Sequence, residues 1–181
     1  MTADEFAPTL PTIDARADER SMLRQFLDYF RAVLERKASG LTAEQLRMPV
    51  APSNLTIGGL LLHMAGVEEG WFSECFLDRP LGEPWTDIDW EATPDWELHN
   101  VDRFTPEEMF GYYRAACERS RTIEAEAGSL DLMSAKDFPN DRQWSQKWSL
   151  RWIMVHMIEE YARHCGHADF IRQAIDGTVG D

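Results

Sequence analysis

Residues Ser149 to Asp176 read S-L-R-W-I-M-V-H-M-I-E-E-Y-A-R-H-C-G-H-A-D-F-I-R-Q-A-I-D, with no proline and one interior glycine, Gly166. Apolar residues recur through the stretch at three- and four-residue intervals, which predicts one helix of about seven turns. At about 100° per residue, with His156 at zero, Glu160 falls near ~40°, His164 near ~80° and His167 near ~20°. The same arc holds Trp152, Ile153, Phe170, Ile171 and Ala174, the stripe such a helix would bury. Four titratable groups therefore interrupt one apolar face. A buried carboxylate without a partner is costly or loses its charge. A single core histidine is ordinarily satisfied by one neighbour, and Arg163, near about −20°, can pair with Glu159 or Glu160. Three histidines and a glutamate in line call for a shared partner, and a metal ion is one.

The length of 181 residues fits a single domain, read as residues 13–181 behind a polar extension, 1–12, that carries Pro8 and Pro11. No apolar run approaches the ~18 residues that span a bilayer. The N-terminus shows neither a basic region nor an apolar one of the secretory kind, so a cytoplasmic protein is expected. A formal net charge of −14 and the absence of a basic patch argue against a nucleic-acid partner. Cys75, Cys117 and Cys165 are odd in number and lack CxxC spacing, which suits a reducing compartment and a packing role.

Along the chain, Met22, Leu23, Phe26, Leu27, Phe30, Val33 and Leu34 predict a first long helix that starts at Ile13 or Asp14 and stops at Ser39-Gly40. Thr42 and Gln45 stand at capping-box spacing, and Pro49 and Pro52 end the short turn they start. A second long helix is expected over about Thr56 to Leu77, with His63 set in a stripe of Leu60, Met64, Val67 and Trp71. Gly59, Gly66 and Gly70 on its flank would admit a close neighbour. Residues 78–104 lack a helical period and carry Trp85, Trp90 and Trp96, which predicts an ordered flap and the wall of a substrate pocket. Thr105-Pro106-Glu107-Glu108 starts a third long helix that runs to about Glu126. Nothing alternates as a strand does, so the fold class is all-α, a four-helix bundle with long inter-helix loops.

In such a bundle, metal sites are built from inward side chains of facing helices. His63 on the second helix and Glu160 and His164, spaced i, i+4 on the last, supply two nitrogens and one oxygen. Three protein ligands leave positions open, as catalytic sites do. His156 offers an alternative partner one turn earlier or could orient Glu160; His167 could close the site or act on a bound ligand. Spacing leaves these alternatives open. Zinc suits the donor set, and so do nickel, iron and manganese. His99, in the loop without a spaced partner, is expected to be exposed.

The segments G-G-L-L-L-H-M-A-G-V-E-E-G-W-F (58–72), L-R-W-I-M-V-H-M-I-E-E-Y-A-R-H-C-G-H-A-D-F-I-R-Q-A-I-D-G (150–177) and G-L-T-A-E-Q-L (40–46) resemble the DinB-like superfamily, nearest to its mini-circle branch. The resemblance implies a four-helix bundle, often dimeric, that holds a divalent metal through a histidine of the second helix and two ligands at i, i+4 on the last. Many relatives carry histidine at both of these last positions. Glutamate at 160 gives a His, Glu, His set similar to that of mycothiol-dependent maleylpyruvate isomerase and related thiol transferases. His167 stands where glutamine is frequent. Superfamily enzymes use mycothiol, bacillithiol or glutathione, which implies a small-molecule substrate, a low-molecular-weight thiol such as mycothiol, and thiolate attack with His167 or His156 as proton carrier. A non-catalytic metal-binding bundle and a small-ligand binding protein without metal are the competing readings.

Overall fold

In the computed structural model, which describes residues 7–139 and 145–180, α1 (Glu19–Ala38) begins at Asp18, whose carboxylate accepts from the Ser21 N–H. The expected start at Ile13 or Asp14 is corrected, because Asp14 is used in a turn. Its side chain accepts from the Arg16 N–H and its carbonyl from the Ala17 N–H, a local alternative to helix. Of the proposed extension, residues 1–6 lie outside the described residues.

α2 (Ala43–Leu46) has the capping box of Thr42 and Gln45. α3 (Ile57–Glu68) is capped by Thr56 and continues as a π-helical stretch, Glu69–Phe76, where an ordinary helix to Leu77 was expected. Its end is sewn to the distant loop, with the Phe76 and Cys75 carbonyls accepting from the Ala135 and Lys136 N–H groups. The tryptophan loop holds a short α4 (Trp96–His99) and a 3-10 turn, Val101–Arg103, within the stretch read as irregular. α5 (Pro106–Glu126) has the capping box of Thr105 and Glu108, and α6 (Leu150–Asp176) runs from a Ser149 cap to Gly177 at φ 79°.

The class is all-α, as expected. A two-residue antiparallel ladder joins β1 (Phe138–Pro139) to β2 (Ser145–Gln146), too short for alternation to show in sequence. α1 packs on α6 and α3 on α5, while α3 also meets α1 and α6. At the meeting of these helices, Arg31 donates twice to Glu68, Nε to Oε1 and Nη2 to Oε2, both at 2.7 Å. Tyr161 donates to the same carboxylate at 2.9 Å, and Tyr113 donates to the Arg31 carbonyl.

Two apolar stripes need correction at their margins. Phe26 on α1 and Phe170 and Ala174 on α6 are exposed, Phe170 at 75%. Gly58 is tightly packed: a Cβ there would lie 2.8 Å from Met109 Sδ and 2.9 Å from the Leu46 carbonyl. Of the three glycines singled out, Gly66 receives the Trp85 indole, whose Nε1 would stand 3.0 Å from a Cβ, and Gly70 faces open space.

Candidate metal centre

α3 and α6 run past one another, so an inward imidazole on one can meet a pair spaced one turn apart on the other. His63, Glu160 and His164 do so: each offers a ligand atom, and the three atoms lie within 4.8 Å of one another. All three side chains are largely withdrawn from solvent. His164 Nε2 stands 3.4 Å from Glu160 Oε2, and the rings of His63 and His164 meet edge to face with centroids 4.7 Å apart. The bond from His164 outweighs the effect of burial and holds the Glu160 carboxyl below its usual pKa, so it is ionised at neutral pH.

Behind His63 stands Glu97, from α4 of the tryptophan loop. Its Oε1 lies 2.6 Å from His63 Nδ1. A carboxylate only accepts, so Nδ1 carries the proton and donates, and Nε2 keeps its lone pair for a cation. Glu97 is 5% exposed, and its Oε2 is buried without a hydrogen-bond partner. A buried carboxylate with only one of its oxygens bonded is an unfavourable arrangement in a core. A cation on the far nitrogen of His63 would supply the missing charge, so the residues fit a divalent ion.

His167 lies on the outer side, exposed, with Nδ1 3.4 Å from His164 Nδ1. If His164 turns Nε2 toward Glu160 and an ion, its Nδ1 is the donor of this contact. Desolvation on one side, then the His164 and Arg163 charges, hold His167 below its ordinary pKa. His156 meets the other oxygen of Glu160, Nε2 to Oε1 at 3.7 Å, and its ring stacks on Trp152 with Trp71 edge-on. With Glu159 and Glu160 it forms a second close group of ligand atoms. That group is the poorer one, because Glu159 is exposed and paired with Arg163. His99 is exposed and belongs to neither group.

Glu97 was missed in sequence. It is one acidic residue among many in residues 78–104, and only the short helix that buries it sets it apart. All three cysteines are buried, and none of them forms a disulfide. No helix among the described residues is long and apolar enough to cross a membrane.

No curated protein matches the chain. Among solved structures, a conserved protein from Enterococcus faecalis matches with a TM-score of 0.62 and 17% identity, over 90% of this chain and 99% of that one, a likeness of fold. The family described as mycothiol-S-transferase matches residues 22–177, which include His63, Glu160, His164 and the segments that resemble the DinB-like superfamily, and the chain therefore belongs to that family.

Proposed function

We propose that the protein is a metal-dependent S-transferase that joins mycothiol, or a thiol of its kind, to a small electrophile. The observation that supports this most directly is the convergence of His63, Glu160 and His164 with Glu97 behind His63. A divalent cation, zinc above all, with nickel, iron and manganese also suited, would lower the pKa of a thiol presented to it. The chain's own part is to hold the donors. Glu97 fixes the His63 tautomer; Glu160 supplies the negative charge; His164 turns one nitrogen inward. In the transfer, sulfur bonds to the electrophilic carbon, the leaving group departs with its bonding pair, and the thiol proton has to be removed. His167, exposed beside His164 and neutral at neutral pH, is our choice for carrying that proton to solvent.

A structural metal centre usually closes its shell with four protein ligands. A group of three favours the catalytic reading over a non-catalytic metal-binding bundle. Cytoplasmic location and a homodimer belong to the same proposal, the second copy supported by the exposed Val155 and Phe170 of α6.

The test compares metal-loaded and chelated protein, purified without a histidine tag, in mycothiol consumption by 1-chloro-2,4-dinitrobenzene. Turnover above the uncatalysed rate is expected from the loaded protein alone, and equal rates with and without protein would remove the proposal. His167→Gln should keep its metal and lose about a hundredfold in kcat.

A further inference from the structure

A cavity of about 520 Å³ is lined by Gly66, Val67, Gly70 and Trp71 of α3 and its π-helical continuation and by Leu81 and Trp90 of the tryptophan loop, with Glu97 also in its wall. Its size is that of a small-molecule site. From this cavity we infer that the electrophile of the proposed transfer is an uncharged molecule with a flat aromatic body, seated between the π-helical stretch and the tryptophan loop. The inference rests on the S-transferase reading and adds the substrate class.

The shape of the slot comes from three features. A Cβ at Gly70 would meet nothing within 4 Å, so the backbone there leaves free space in the wall. Trp71 stands next to that gap, and Trp90 keeps 36% of its surface open. Two indoles and a missing side chain make a flat apolar space, which a ring fills by stacking or edge contact. Gly70 and Trp71 both lie in Glu69–Phe76, and π-helical turns are rare and concentrate at functional sites.

Two residues of the cavity wall link it to the centre. Glu97 lines it and holds His63, and Trp71 touches His156, which faces Glu160. Charge then selects the ligand. Of the charged side chains of the wall, Lys136 and Glu74 are matched with each other at 2.6 Å, and Glu97 gives Oε1 to His63 at 2.6 Å while its unpartnered Oε2 is buried out of a ligand's reach. A charged ligand would find no free counter-charge there, whereas a neutral ring loses little on leaving water.

The experiment titrates the full-length protein with 1,3-dinitrobenzene, an unreactive neutral aryl probe, by quenching of tryptophan fluorescence. Benzyltrimethylammonium serves as the charged aryl control. Saturable binding of dinitrobenzene is expected, at least tenfold tighter than that of the cation. Gly70→Leu, whose side chain enters the gap, should weaken it tenfold or more with circular dichroism and metal content unchanged; Trp90→Ala, on the loop side, should weaken it as well. Unsaturable quenching, wild-type affinity in both variants, or equal affinity for the cation would each overturn the inference. Chelated protein should bind the probe as well as loaded protein does. Aryl binding that persists without thiol turnover would therefore sink the S-transferase reading and leave the cavity assignment standing, while turnover with a KM for mycothiol raised by Gly70→Leu and unchanged for the electrophile would assign the cavity to the thiol and overturn it.

Discussion

In the proposed centre Glu97 would govern how firmly His63 holds an ion, since it fixes which nitrogen carries the proton. Replacing it with alanine should lower metal affinity about 10–100-fold, read by competition against a chromogenic chelator. Alanine at His63, Glu160 or His164 should empty the centre, and His99→Ala should leave metal content at the wild-type level; equal loss in the His99 variant would refute the ligand assignment. The convergence of His63, Glu160 and His164 was legible in sequence because helical phase alone brings Glu160 and His164 to one side. Glu97 was not, because a loop has no period from which to read direction. The cysteines give a second residue-scale prediction. Burial raises the Cys75 thiol to about 11 and Cys117 to about 12. Both stay protonated in the folded chain where unfolded thiols ionise, so their stabilising effect is full below about pH 9 and fades as pH rises through 11 to 12. Urea midpoints should fall over that alkaline window, and Ellman's reagent should leave both thiols untouched in native protein at pH 8.

At the scale of elements, helix ends were read well at several caps, although the Asp18 cap that starts α1 was passed over. Thr105-Pro106, Ser149 and the Asp176-Gly177 stop stand where expected. The π-helical stretch was invisible, because its apolar residues satisfy a helical period whichever ladder the backbone adopts. Of the flanking glycines, Gly59 and Gly66 have the close neighbour expected and Gly70 does not, because periodicity locates a flank without revealing what stands opposite it. Gly58→Ala should destabilise by about 1–3 kcal/mol, since its Cβ meets Met109 and the Leu46 carbonyl, and Gly70→Ala should be neutral or stabilising by up to about 1 kcal/mol. Chemical denaturation of the two variants checks the pair, and the opposite order would contradict the packing described around α3.

For the molecule as a whole, the sequence conveyed class and core but not the charged pair at its centre. Arg31 and Glu68 read as ordinary members of their helices, and only assembly shows that each is the other's partner. Glu68→Ala should cost about 3–5 kcal/mol by leaving the guanidinium unpaired, and the thermal midpoint should drop accordingly. Arg31 belongs to α1, Glu68 to α3, Cys117 and Tyr113 to α5 and Tyr161 to α6, with Cys117 Sγ 3.6 Å from the Tyr161 hydroxyl. No rod can peel away by itself without stranding an ion or a hydroxyl in oil. The slowest backbone amides of all four should accordingly exchange with deuterium through one common opening, at a single free energy equal to that of global unfolding.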